Sequence, residues 1–264
     1  MTPSAALGAS PALAVAKTQL RAQMKQQLKS LSAASVASQS AAIYGALSRF
    51  PAFATARRVA VFLSMPTAEV QTDAIVRHAL AAGKQVFVPY LHKPAVAVSA
   101  GNYIPSRVMD MVQLHDMADY ESLARDKWGI PSVSADSVQS RPRVLGDDED
   151  LKEQSTQRKQ QSLSTLDLIL MPGVAFDVDP DTRRIHRCGH GRGFYDYFLH
   201  RYALRIATEH DEPAEAVRLY GLALTEQVMP AHSVPTGPHD QPLDGLITGD
   251  GRVITPEVTA LPVK

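Results

Sequence analysis

Short apolar segments that alternate with amphipathic ones constrain the fold of this chain more than any other feature. Val59–Met65 is an apolar run of strand length, and Gln85–Tyr90 is a second one. Between them, Thr72–Ala82 has the apolar spacing of a helix and is followed by Gly83. A strand, a helix and a strand joined by short links form a βαβ unit. The two strands are therefore predicted to be parallel and buried on both faces.

The same alternation continues along the chain. Three further strands and three further helices are predicted, the strands at Leu166–Met171, Tyr220–Leu224 and Asp244–Thr248 and the helices at about 12–30, 33–50 and 194–208. The sequence therefore predicts a three-layer α/β fold with a mostly parallel sheet flanked by helices. Such a fold is Rossmann-like and is also found in sugar-phosphate isomerases and CoA-transferases.

Two segments lack the apolar residues that a folded core needs. Residues 1–16 are rich in Ala, Ser and Pro, and residues 134–164 are mostly Ser, Gln, Asp, Arg and Lys. Chains of this composition bury too little surface to order themselves. We therefore predict a disordered extension at 1–16 and a single domain over 17–264, with a flexible insertion at about 134–164.

Charge and cysteine content exclude several classes of protein. The 264 residues carry 27 basic and 27 acidic side chains, without the basic excess of a nucleic-acid binder. No apolar run is long enough to span a membrane. Cys188 is the only cysteine, so an internal disulfide cannot form. A reducing compartment is expected, and we predict a cytoplasmic protein.

A glycine-rich loop at residues 188–193 leads directly into the helix predicted from Phe194. Glycines let backbone N–H groups approach phosphate oxygens, and the first turn of a helix favours an anion. Arg192 adds a cation, and Asp196 in the first turn is placed to hold Mg²⁺ beside a phosphate. On spacing alone, the loop fits a tight turn equally well, and Asp196 fits an ordinary helix-start carboxylate.

The residues around this loop resemble the 5-formyltetrahydrofolate cyclo-ligase family. The hallmark is Leu166–Asp177, followed by the glycine loop and Phe194–Asp196. Four other segments occur in the family's order, namely Lys17–Arg21, Phe62–Met65 with Glu69, Trp128–Pro131 and Glu226–Gln227. The resemblance extends over about residues 15–250, without the predicted insertion.

The resemblance implies a ligase that uses ATP and Mg²⁺. In this family ATP phosphorylates the formyl oxygen of 5-formyltetrahydrofolate, and N10 of the folate then attacks the activated carbon. Phosphate leaves, and 5,10-methenyltetrahydrofolate forms. The expected partners are these small molecules, without nucleic acid or membrane, and the protein is expected to be a monomer.

The resemblance also assigns residues to three groups. ATP would be bound by Lys17, Arg21, Gly189, His190, Gly191, Arg192, Gly193, Phe194 and Tyr195, with Arg192 as the catalytic residue nearest the transferred group. Mg²⁺ would be bound by Asp196 and Asp240. Folate would be bound by Leu63, Met65, Glu69, Tyr90, Met109 and Trp128.

Simpler interpretations remain open for several of these residues. Lys17 and Arg21 also fit a solvated helix face, Asp240 fits a turn, and the aromatic and methionine residues fit core packing. Among functions, the alternatives are another phosphate-substrate enzyme on the same fold, a non-catalytic folate- or nucleotide-binding relative, and an interaction module. The charged segment Asp177–Arg187 is longer than the short hairpin expected before the loop.

Overall fold

The computed structural model describes residues 10–94, 106–146, 165–209 and 216–255. Its strands are β1 (Arg58–Val61), β2 (Gln85–His92), β3 (Val108–Gln113), β4 (Ala124–Arg125), β5 (Pro131–Ser132), β6 (Leu168–Met171), β7 (Ala175–Val178), β8 (Ile185–Cys188), β9 (Arg218–Ala223), β10 (Gly245–Thr248) and β11 (Val253–Ile254). Its α-helices are α1 (Pro11–Lys29), α2 (Ala33–Ser48), α3 (Pro51–Thr55), α4 (Asp73–Ala81), α5 (Met117–Glu121), α6 (Ala135–Val138) and α7 (Phe194–Glu209).

Seven strands form the central sheet in the order β11-β10-β9-β6-β1-β2-β3. The five inner strands are parallel to one another, and the two outer strands, β3 and β11, are antiparallel to their neighbours. The prediction of a mostly parallel sheet is therefore confirmed. The inner strands are buried on both faces, which explains why they appear in the sequence as continuous apolar runs.

Helices cover both faces of this sheet. One buried cluster contains side chains from α1, α2 and α4, with Met24, Ile43 and Ile75 fully buried. The other cluster contains α7, whose Phe198 and Tyr202 pack against the opposite face. The predicted three-layer α/β arrangement is thus confirmed. In the described part of the chain, no helix has the length and apolar character needed to cross a membrane.

The first helix begins within the segment 1–16, which was predicted to be an extension. The Ser10 side chain accepts a hydrogen bond from the Leu13 N–H, and Pro11 occupies the start of the helix. A hydroxyl cap followed by proline is a helix-start signal, because proline has no N–H to leave unpaired there. Residues 11–16 are therefore helical, whereas residues 1–9 of the predicted extension lie outside the described residues. Similarly, α2 ends at Ser48, and Pro51 starts α3.

Residues 134–146 of the predicted flexible insertion are packed against the sheet. Val144 and Leu145 are buried, and the Val144 N–H donates to the Met111 carbonyl of β3 at 2.9 Å. Arg141 donates to both carboxylate oxygens of Asp119, at 2.5 and 2.6 Å. A few apolar side chains and one ion pair thus anchor this part to the sheet. Residues 147–164 lie outside the described residues.

The Arg141–Asp119 ion pair should contribute measurably to stability. Its side chains are only 5% and 14% exposed, and the Arg141 guanidinium holds the pKa of Asp119 below its usual range. We expect Arg141→Ala to lower the free energy of unfolding by about 3 kcal/mol, because the largely buried carboxylate of Asp119 loses its cation. Chemical denaturation at neutral pH measures this loss.

Two further measurements sharpen this test. The stability from a carboxylate with a lowered pKa exists above its unfolded-state pKa and is lost in acid, so the difference between wild type and Arg141→Ala should shrink below about pH 4. Arg77→Ala is the control, because Arg77 forms ion pairs with exposed partners. Equal losses in the two variants would contradict the role given to Arg141.

Candidate functional site

A cavity of about 290 Å³ lies next to the carboxyl end of β6. Open sheets of this kind bind ligands beyond the carboxyl ends of their parallel strands. Its walls are formed by α1, the end of β8, the glycine loop and the first turn of α7. The residues that line it are Lys17, Arg21, Pro172, Arg187, Gly189, His190, Gly191, Arg192, Gly193, Phe194, Tyr195, Asp196 and Asp240.

This lining contains every residue that the sequence predicts for ATP and metal binding. Four of the lining side chains are cationic, and two are carboxylates. The cavity therefore carries a net positive charge, which favours an anionic ligand. Only Pro172 and Arg187 were not predicted.

The glycine loop is held against α1 by Arg21. The Arg21 Nε donates to the Gly189 carbonyl at 2.8 Å. A Cβ at residue 191 would lie 3.1 Å from the Arg21 Cζ, and Gly191 has a φ of 93°. Glycine is therefore required there both by the backbone conformation and by the close approach of the guanidinium. The Tyr197 N–H donates to the Gly193 carbonyl, so α7 starts directly at the end of the loop.

Arg187 is the functional candidate that the sequence did not reveal. Its side chain is 4% exposed and lies under the glycine loop, where Nη2 donates to the Asp196 carboxylate at 3.0 Å. Nη1 donates to the Pro172 carbonyl at 3.3 Å, at the end of β6. Arg187 directly precedes the loop in the sequence, but its partners come from separate elements. The segment 177–187 contains other arginines, and Arg187 differs from them by its burial, which the sequence does not show.

The two predicted metal ligands lie in the same cavity, and each is paired with a cation. Asp196 accepts from Arg187, and both oxygens of Asp240 lie 2.5 Å from the Lys17 Nζ. No cluster of three or more metal-ligating side chains occurs in the described ranges. Mg²⁺ is often bound by one or two carboxylates together with phosphates and water. These carboxylates thus fit a Mg²⁺ ion that a phosphate ligand also holds, and do not form an all-protein metal site.

The predicted folate-binding loop follows β1. Glu69 is buried, and its Oε2 accepts from the Met65 N–H at 2.7 Å. The Gln71 side-chain amide donates to the carbonyls of Met65 and Glu69, at 2.9 and 2.8 Å. Because the loop is bonded to itself in this way, the Glu69 carboxylate has a fixed position.

His190 connects this loop to the glycine loop. Its Nε2 lies 3.8 Å from the Glu69 Oε1, and its side chain is 53% exposed. The contact is an ion pair only when the imidazole is protonated. The predicted ATP and folate residues are therefore neighbours in space, although about 120 positions separate them in the sequence.

The other predicted folate residues are only partly brought together. Trp128 is 65% exposed, and a Cβ at Gly129 would lie 2.7 Å from Pro66, so this turn packs on the Glu69 loop. Leu63 and the half-buried Tyr90 belong to the cluster on one face of the sheet. Met109 belongs to the cluster on the other face. Met109 is therefore core, and the structure does not place it in one pocket wall with Tyr90.

The long charged segment before the glycine loop is a hairpin. Strands β7 and β8 pair antiparallel, and the carboxylate of Asp179 accepts from the N–H groups of Asp181 and Thr182 in the turn. The Asp177 side chain is fully buried, and it accepts from His186 and from the Val234 N–H. The segment is thus a structural support for the loop.

The single cysteine, Cys188, ends β8. Burial raises the pKa of its thiol.

A sequence model described as the 5-formyltetrahydrofolate cyclo-ligase family matches residues 14–249 of this chain. The chain belongs to that family. A probable 5-formyltetrahydrofolate cyclo-ligase of Schizosaccharomyces pombe is 30% identical over 89% of this chain and 96% of its own length. The 5-formyltetrahydrofolate cyclo-ligase of Saccharomyces cerevisiae is 31% identical over 90% of this chain and 97% of its own length. The chain is thus an enzyme, a ligase of folate one-carbon metabolism.

A solved structure agrees with this assignment at the level of the fold. The NMR structure of 5,10-methenyltetrahydrofolate synthetase from Aquifex aeolicus has a TM-score of 0.59 and 22% identity, and the alignment covers 94% of this chain and 96% of that chain. The two proteins share their fold. ATP is the co-substrate in the cyclo-ligase family, and the cationic cavity suits its phosphates.

Proposed function

We propose that this chain cyclises 5-formyltetrahydrofolate to 5,10-methenyltetrahydrofolate with ATP, and that the cavity at the end of β6 is the ATP site. The observation that carries the proposal is the convergence of all predicted ATP and metal residues on one cationic cavity. Lys17 and Arg21 approach it from α1, and the glycine loop approaches it from the start of α7. ATP phosphates carry several negative charges, which these groups can neutralise together.

Folate is proposed to lie across His190 from the nucleotide, on the loop that follows β1. Glu69 supports this position, because its buried carboxylate suits the adjacent N–H donors of a pterin ring. Leu63, Met65, Tyr90 and Trp128 are proposed as the apolar and aromatic surroundings of the folate. Met109 is left out, since it is buried in the core on the other face of the sheet.

In this reaction the substrates attack one another, so the protein has to position them and does not need a nucleophilic side chain. The formyl oxygen attacks the γ-phosphorus, and ADP leaves with the electron pair of the broken P–O bond. N10 then attacks the formyl carbon. The bond between this carbon and its oxygen breaks, its electron pair leaves with the phosphate, and the phosphate also takes the N10 proton. Arg192 is proposed to hold the transferred group, because it is exposed at the rim and has no partner among the described residues. Bound Mg²⁺, held by Asp196 and Asp240, would neutralise phosphate charge.

We further propose a cytoplasmic monomer. The lone, buried Cys188 is consistent with a reducing compartment. A mitochondrial 5-formyltetrahydrofolate cyclo-ligase of Arabidopsis thaliana is 35% identical over 38% of this chain.

The activity is tested with purified protein, 5-formyltetrahydrofolate and MgATP. We expect an ATP-dependent rise in the near-UV absorbance of the methenyl product, and its absence would refute the proposed function.

Arg192→Ala should lower kcat by about 100-fold or more, because a cation that stabilises the transferred phosphoryl group is lost. Arg184→Ala is the matched control, since Arg184 is an exposed arginine of the β7–β8 turn. A normal kcat in Arg192→Ala would reject Arg192 as the catalytic residue.

Asp196→Asn tests the metal site. Asn keeps an oxygen that can accept from Arg187 but removes the negative charge. We expect the Mg²⁺ concentration for half-maximal activity to rise about 10-fold or more. Asp73→Asn is the control, because Asp73 is also a first-turn aspartate paired with an arginine but lies on α4, away from the cavity. The same Mg²⁺ dependence in both variants would show that Asp196 is not a ligand.

Glu69→Gln tests the folate half of the site. The amide oxygen can still accept from the Met65 N–H, so the loop should keep its shape. We expect the KM for folate to rise about 10- to 100-fold, the equivalent of one charged hydrogen bond. The KM for ATP should stay within about 2-fold. Glu226→Gln serves as the control, because Glu226 bonds to Gln39 and does not line the cavity. If the KM for folate is unchanged, Glu69 does not bind the pterin.

A further inference from the structure

Two residues that line the cavity each have one buried donor without a hydrogen-bond partner among the described residues. These donors are the Tyr195 hydroxyl and the Arg187 Nε. The Arg187 Cζ lies 5.5 Å from the centroid of the Tyr195 ring, so the two side chains are neighbours. Native proteins pair nearly all of their buried polar groups, and an unpaired one therefore needs an explanation. Two such groups side by side in a ligand cavity indicate that a ligand completes their hydrogen bonds.

The surroundings show that the hydroxyl is not needed to hold the fold. The other nitrogens of Arg187 are satisfied by Asp196 and the Pro172 carbonyl. The Tyr195 ring already contributes its packing and its contact with the guanidinium. A phenylalanine would keep both of these and would remove one of the two unpaired donors, leaving only the Arg187 Nε. The hydroxyl therefore lowers the stability of the free protein, and such a cost is typical of groups kept for activity.

The chemistry of the two unpaired donors indicates which kind of ligand atom would be their hydrogen-bond partner. The Arg187 Nε–H can only donate, and a tyrosine hydroxyl carries its proton at physiological pH. Both therefore need an acceptor oxygen. Tyr195 lines the same cavity as His190, whose Nε2 lies 3.8 Å from the Glu69 Oε1. Since Arg187 belongs to the phosphate half and Glu69 to the folate half, the acceptor lies at their junction.

One oxygen of the proposed reaction occupies such a junction. After phosphoryl transfer, the former formyl oxygen bridges the folate carbon and the phosphorus. We propose that the Tyr195 hydroxyl is a catalytic hydrogen-bond donor to this bridging oxygen. The inference rests on the proposed function and adds an atom-level role to a residue otherwise assigned only to the ATP site. The unpaired Nε–H of Arg187, whose guanidinium lies near the Tyr195 ring, is the candidate for a second donor.

The donor matters most in the second step. N10 forms a bond to the formyl carbon, and the carbon–oxygen bond breaks with its electron pair staying on the bridging oxygen. That oxygen leaves as part of phosphate, which also takes the proton lost from N10. A hydrogen bond from Tyr195 stabilises the charge that develops on the leaving oxygen. Because the hydroxyl is neutral and fixed, it needs no rearrangement when the charge appears.

The test compares Tyr195→Phe with Tyr202→Phe in the full chain. Tyr202 lies on the same helix, and its hydroxyl accepts from the Leu166 N–H at 2.8 Å, outside the cavity lining. We expect Tyr195→Phe to lower kcat by about 100-fold, with a smaller change in the KM for ATP and an unchanged or raised Tm. Tyr202→Phe should instead lower the Tm and keep kcat. Rapid mixing of Tyr195→Phe with both substrates should give a burst of ADP before methenyl product, because the second step becomes slow.

The results distinguish a failure of the Tyr195 role from a failure of the proposed function. A wild-type kcat in Tyr195→Phe overturns the catalytic role and leaves the proposed function intact, because turnover is still present. A Tm loss like that of Tyr202→Phe makes the hydroxyl structural and also overturns it. ADP and methenyl formation slowed equally, without a burst, contradicts donation to the leaving oxygen. If wild type forms no methenyl product, the proposed function and this inference fail together.

Discussion

Arg187 keeps its guanidinium beneath the glycine loop, with 4% of its side chain exposed. A charge in such a position is tolerated only when neighbouring groups replace its water. The carboxylate of Asp196, the carbonyl of Pro172 and the ring of Tyr195 do so. These groups belong to the first turn of α7 and to the end of β6, so one side chain sets the distance between helix and sheet. A Cβ at Gly189 would lie 2.8 Å from Nη1, which explains the glycine there.

The two halves of the site meet because β1 and β6 are neighbours in the sheet. The loop after β1 carries Glu69, and the chain after β6 leads to the glycine loop. Helix α1 then adds Arg21, which bonds to Gly189. These segments lie far apart in the sequence, so the cavity forms only when the sheet and α1 are packed together. The proposed binding of two substrates at one junction thus depends on the order of the strands in the sheet.

The sequence predicts features that depend on nearby residues. The inner strands were found because each is an apolar run, and the glycine loop because its residues are consecutive. Strand β3 was not predicted, because the buried Asp110 interrupts its apolar pattern and is compensated by Arg143 from a distant segment. Arg187 was also missed, because its partners Pro172 and Asp196 belong to other elements of the fold. Met109 was grouped with Tyr90, although it faces the opposite side of the sheet.

Residues 142–145 run along the outer side of β3 and bond to its backbone. A free sheet edge offers unpaired N–H and carbonyl groups to any extended chain that approaches it. Here the Gln113 N–H and the Met111 carbonyl are already engaged, so this end of β3 is not free to pair with a second molecule. Proteolysis or deletion that released this short segment would expose the strand and convert a folded enzyme into a template for aggregation.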